Sequence, residues 1–187
     1  MKYTREEAIG HYYKILEKNP KKAREIIKKL DFKQDHYLLF CIANTYWEED
    51  RKHNNKLRLT ERYVTKAFKL NDDCLNDDCP FVLWLLGMVK WDYGQHDAAI
   101  FCFEDIIRMG VKGIINEGCA NNKDVARAQI NDSKFQLHRL YKTSNPALSK
   151  QYLNQFKKGL AHGAFTIIGR SLKEAGIVVK SSQDQSS

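Results

Sequence analysis

The sequence predicts an all-α protein, and three observations carry that reading. Its 187 residues include only three prolines, and alternating β-branched runs are nearly absent. Apolar residues recur three and four positions apart in segment after segment, the period of a helix face. Recognisable helix-start and helix-stop signals stand between those segments.

Taken in order, Thr4-Arg5-Glu6-Glu7 has the form of a capping box and predicts a helix from Arg5, with Ala8, Tyr12, Ile15 and Leu16 on its apolar face. Asn19-Pro20 is a cap followed by a first-turn proline. It opens a second helix through about Leu30, with Ala23, Ile26 and Ile27 inward. Leu39, Ile42, Ala43 and Tyr46 mark a third helix, and Thr60, Val64, Ala67 and Leu70 a fourth. The charged segment 48–56 between them is expected to be a loop or a helix extension. An acidic connector, NDDCLNDDCP, spans 71–80.

The stretch from Phe81 to Gly110 carries the clearest pattern. Leu83, Leu86 and Gly87 place a small residue beside large ones, Gly94 stands where a tight turn needs a permissive backbone, and Ala99, Phe103 and Ile106 form the next helix face. Gly110 is expected to end that helix as a left-handed cap, with 111–122 irregular. Residues 123–143 are helical by spacing, with Val125, Ala128, Phe135, Leu137 and Leu140 inward. Ser144-Asn145-Pro146 turns the chain into a helix bearing Ser149, Leu153 and Phe156. A last helix is expected over Ala164–Ala175, ending at Gly176. The polar tail 181–187 is expected to be disordered, so that one domain spans 1–180.

Composition excludes several function classes. The longest apolar run, Phe81–Val89, is about half of the roughly 20 residues a membrane helix requires. No apolar core follows Met1–Arg5, which argues against a secretory leader, and five cysteines without paired spacing suit a reducing compartment. No membrane association and a cytoplasmic location are therefore expected. No phosphate loop, dinucleotide glycine pattern, HExxH or GxSxG occurs, so no enzyme and no cofactor are expected. Cys74 and Cys79 stand among Asp72, Asp73, Asp77 and Asp78, with His53 and His96 the nearest histidines. That spacing reads as a solvated linker rather than a metal site. Cys119 with His138 or His162 is the one nucleophile–base pairing worth naming. Cys41 and Cys102 read as small core residues.

The net charge of +8 is uneven. Residues 1–33 hold ten bases against five acids, 71–107 one against eight, and 134–180 nine against one. Solvated helix faces account for such a pattern, and so does orientation of a charged partner.

The large–small–turn–small–large order in a unit of about 34 residues resembles the tetratricopeptide repeat. The resemblance covers Asp35 to Gly159, with units at 34–70, 80–110 and 132–159. Val111 stands near the place of the family's proline, and His138 stands where a small residue is usual. INEGCA and the following AQINDSKFQLHRLY, with Glu117, Gly118, Cys119, Asn131 and Asp132, also resemble the C-terminal part of bacterial repeat proteins. The family resemblance implies a right-handed α–α superhelix of about four to five hairpins, whose first helices line a concave groove. Carried over residue by residue, that groove takes Tyr37, Phe40, Asn44 and Trp47 from one unit and Phe81, Trp84, Met88 and Trp91 from the next. The third unit gives Phe135, Arg139 and Lys142.

Such a groove implies an adaptor that binds a protein or peptide, aromatic anchors taking apolar side chains while Arg139 and Lys142 select an acidic feature. Against it stands the reading that the chain's own terminal helix covers the stripe, or that a homodimer does. Asn44, Arg139 and Lys142 resemble fragments of the family's carboxylate clamp, but its lysine and glycine–asparagine signature is absent. Two alternatives complete the expectations. One is nucleic-acid binding through Lys18–Lys33, Lys150, Lys157 and Lys158. The other is an immunity or regulatory protein acting on a neighbouring gene's product.

Overall fold

The computed structural model describes residues 3–53, 57–72, 79–116 and 122–162. The described residues form eight α-helices and no strand. They are α1 (Arg5–Ile15), α2 (Pro20–Ile27), α3 (His36–His53), α4 (Leu57–Asp72), α5 (Pro80–Asp92), α6 (His96–Asn116), α7 (Lys123–Ser144) and α8 (Pro146–Ala161). The fold is all-α, as the periodicity predicts. No helix is long and apolar enough to cross a membrane among the described residues. The chain divides into two compact units, residues 1–102 and 103–187, with the boundary inside α6.

In the first unit the local signals work as their chemistry dictates. The Thr4 hydroxyl accepts from the Glu7 N–H at 3.2 Å, and the Glu7 carboxylate accepts from the Thr4 N–H at 2.9 Å, closing the capping box. Asn19 Oδ1 accepts from the Lys22 N–H at 3.0 Å ahead of Pro20. Asp35 Oδ1 accepts from the Leu38 N–H at 3.0 Å and opens α3. Consecutive helices from α1 to α5 pack on one another, and α3 also packs on α5. Their core is apolar: Ala8, Tyr12, Ile27, Leu39, Ile42, Val64, Leu83 and Leu85 are fully buried. Of the charged segment 48–56, residues 48–53 are a helix extension, since α3 continues to His53, and 54–56 lie outside the described residues. The second helix stops three residues earlier than its spacing suggests, at Ile27. Gly94 turns the chain between α5 and α6 at φ 71°, where a side chain would be strained.

In the second unit α7 packs along α8. The turn between them is a single residue, Asn145, which ends α7 and caps α8 through its Oδ1 and the Leu148 N–H at 3.1 Å. Phe135 and Phe156 meet at 5.0 Å between ring centres, both fully buried. Gly110 behaves differently from a left-handed cap. Its φ of 64° comes with ψ of 178°, a conformation glycine alone adopts readily, and the helix resumes beyond it to Asn116. The chain kinks there instead of becoming irregular. The expected turn at Glu117–Cys119, the helix over 164–175, the tail 181–187 and Cys74 lie outside the described residues.

Candidate functional site

Helix α5 is apolar almost all round, and that composition explains its exposure pattern. Val82, Leu83, Leu85, Leu86, Gly87 and Val89 are buried. Phe81, Trp84, Met88 and Trp91, at spacings of three, four and three, are half-buried and form one stripe along the opposite side. Lys90 leaves the stripe for α4, where its Nζ lies 3.6 Å from Glu61.

The α3 residues assigned to the same face divide into two kinds. Tyr37 and Asn44 are half-buried. Phe40 and Trp47 are buried, at 5% and 6% exposure, so they back the face from behind and offer a ligand almost no area. Trp47 therefore does not serve as an open anchor. An aromatic triangle joins the two helices: Tyr37, Phe40 and Phe81 have ring centres 5.7, 5.8 and 6.2 Å apart.

Helix α1 lies against the α3 part of this face. Asn44 Nδ2 donates to the Tyr12 hydroxyl at 3.1 Å, and the hydroxyls of Tyr13 and Tyr37 are 2.6 Å apart. Arg5 pairs with Asp35 at 2.8 Å and places its guanidinium 5.8 Å from the Tyr37 ring centre. The N-terminal helix thus covers part of what the family resemblance assigned to a partner, while the α5 stripe keeps its half-exposure. Tyr13 was not legible as a face residue, because its position is one step off the apolar stripe of α1. The doublet Tyr12-Tyr13 was the available signal.

Titratable groups cluster where α1, α3 and α5 begin. Burial pushes the Asp35 carboxyl up, but the bonds from Arg5 and from the Leu38 N–H outweigh it and hold the group below its ordinary range. A bond with the Cys79 thiol raises the His36 imidazole. Cys79 itself is buried at the N-terminus of α5, and burial pushes the Cys41 thiol up, so Cys41 is a core thiol and not a nucleophile. No group of His, Cys, Asp and Glu fit to hold a metal ion occurs among the described residues.

Phe135, Arg139 and Lys142 belong to the second unit. Phe135 is core, its ring tilted against those of Phe156 and His138, because its side of α7 faces α8. Arg139 and Lys142 are exposed, and Arg139 donates to Gln136 Oε1 at 3.2 Å. His138 makes a serine pair that the spacing did not reveal. Its Nδ1 is 2.8 Å from Ser149 Oγ, while the Ser149 hydroxyl donates to the His138 carbonyl at 2.9 Å. With that proton committed, Nδ1 must be the donor, and the pair ties α7 to α8 instead of activating a nucleophile. A second unanticipated cluster sits at the surface. The stacked rings of Tyr141 and Tyr152 both donate hydroxyls to Glu104 Oε1, at 3.2 and 3.4 Å. Comparison with protein families, with curated proteins and with solved structures returned no match for this chain.

Proposed function

We propose that this protein is a non-enzymatic interaction module in which the half-exposed stripe Phe81, Trp84, Met88 and Trp91 docks apolar side chains of a protein or peptide partner. The carrying observation is that stripe itself: three large aromatics and a methionine on one side of a helix whose other side is buried. The neighbour-to-neighbour packing of α1 to α5, with α3 also on α5, supports stacked hairpins of the tetratricopeptide kind in residues 1–102. In that reading Tyr37 extends the docking face, and Phe40, Asn44 and Trp47 hold it in shape. The test is capture of partners from the native lysate by wild type and by Trp84→Ala/Trp91→Ala, with folding of the variant verified by circular dichroism. Loss of the captured partners supports the module, and a folded variant that keeps every partner refutes it.

A second reading, contact with a phosphate backbone, is favoured by α8, where Lys150 and Lys158 line one shallow groove with Gln151 and Asn154. It requires nucleic-acid affinity that falls steeply with salt and is insensitive to both tryptophan substitutions.

A further inference from the structure

Helix α8 sorts its residues by side. Its large apolar residues, Leu148, Tyr152, Leu153, Phe156 and Leu160, are buried or half-buried. From Lys150 onward the exposed residues are Lys150, Gln151, Asn154, Lys157, Lys158 and Ala161, which share one broad side at the helical period. The surrounding hairpin is basic throughout. Residues 133–162 hold six bases, Lys134, Arg139, Lys142, Lys150, Lys157 and Lys158, and no acid. Lys150, Lys157 and Lys158 form no ion pair among the described residues. Glu104 does reach α8, but through the hydroxyl of Tyr152, a half-buried residue off this side. The positive charge is felt on α7 as well: burial first, and then Lys142, Arg139 and Lys157, hold the His138 imidazole below its ordinary value.

The chemistry of this side selects among polyanions. A protein partner needs an apolar or aromatic centre to bury, and Ala161 is the only apolar residue exposed from Lys150 onward. An anionic bilayer holds helices by their large apolar side chains, and those of α8 are turned inward. A single strand is held by aromatic platforms under its bases, and no aromatic residue stands on this side. A double helix requires only cations within reach of its phosphates. Lys150 and Lys158 are about 12 Å apart along the helix axis, comparable to the ~12 Å width of a B-DNA major groove. We infer that the exposed side of α8 binds double-stranded nucleic acid by its backbone, with Lys150, Lys157 and Lys158 neutralising phosphates without reading sequence. This inference rests on the phosphate-backbone reading of α8 and concerns a surface other than the α5 stripe.

The full chain is titrated by fluorescence anisotropy against labelled duplexes of two unrelated sequences, against one of their single strands, and against polyglutamate. Three phosphate contacts predict that duplex affinity falls about 40-fold between ~0.05 and ~0.2 M salt, equally for both sequences. Lys150→Gln/Lys157→Gln/Lys158→Gln should weaken duplex binding at least about tenfold and flatten its salt dependence. Lys21→Gln/Lys22→Gln/Lys29→Gln removes the same charge from exposed positions near α2 and should leave binding within about threefold of wild type. Circular dichroism verifies that both variants fold. A single strand that binds as tightly as the duplex, or a tenfold preference between the two sequences, overturns the inference and leaves the phosphate reading standing, provided that the α8 lysines are required. Polyglutamate that binds as tightly as the duplex makes the partner an acidic protein and overturns both. Failure of every probe to bind, or equal loss in the two triple variants, likewise overturns the phosphate reading of α8 and the inference together.

Discussion

The guanidinium of Arg24 lies 4.0 Å from the centre of the Tyr46 ring, and Tyr46 in turn stacks on Tyr63 at 5.6 Å. The same guanidinium donates to Glu49 at 2.8 Å and to Thr45 Oγ1 at 3.4 Å. One buried cation therefore joins α2 to α3, and through the ring stack to α4. A planar group with a fixed fork of donors is what allows stacking and pairing at once.

Removing that cation takes from Glu49, 13% exposed, the ion pair it makes with Arg24. Arg24→Ala is expected to lower stability by about 3 kcal/mol, read from urea unfolding. Arg24→Met with Glu49→Leu should recover most of the loss, because the largely buried carboxylate that Arg24 paired is then gone as well. Equal destabilisation by the single and double variants would show that the stacking, and not the ion pair, matters there.

Gly159 lets α8 come close to the side chain of Asn131 on α7. A Cβ at this position would collide with the side chain of Asn131, which is buried and donates from Nδ2 to the Phe156 carbonyl at 3.1 Å. Gly159→Ala is expected to cost about 2 kcal/mol, by thermal or urea unfolding. Adding Asn131→Ala should cost less than the sum of the two single changes, since the collision then has no second party.

Two other glycines separate backbone strain from space. Neither Gly110 nor Gly10 has an atom within 4 Å of an added Cβ. Gly110 holds a positive φ of 64°, so Gly110→Ala should destabilise by about 1–3 kcal/mol. Gly10 lies inside α1 with ordinary helical geometry, and Gly10→Ala should stabilise by about 0.5–1 kcal/mol. Matching effects at the two sites would contradict the backbone assignment at Gly110.

The cluster at the start of α3 makes stability depend on pH in two directions. Asp35 is held below its ordinary value, so its contribution is present above the unfolded value of about 4 and is lost as pH falls through the folded one. His36 is raised by Cys79, so its contribution is complete below about 6.5 and is lost as pH rises through its higher folded value. Asp35→Asn should flatten the acid limb of the urea midpoint against pH, and His36→Gln the limb above neutrality. His138 works oppositely to His36. Burial lowers it, with Lys142, Arg139 and Lys157 adding to the effect, so protonation below about pH 6.5 weakens the second unit. His138→Gln should remove that loss.

Local chemistry determined most of the fold's outline. Capping at Thr4, Asn19 and Asn145, first-turn prolines at 20 and 146, and the helical period of the apolar residues are interactions within a few residues of one another, so the sequence alone dictates all-α structure and most helix boundaries. The same period identified the α5 stripe, because Phe81, Trp84, Met88 and Trp91 share one side of a helix wherever that helix packs. Tertiary structure decided which aromatics remain available. Trp47 and Phe40 repeat the spacing of the α5 stripe and are buried, while Tyr13, one step off its helix's apolar face, reaches Tyr37. Periodicity states which residues share a side but not which neighbour covers it. That depends on contacts between residues far apart in the chain, such as Asn44 with Tyr12 and Arg24 with Glu49, whose partners no local spacing specifies.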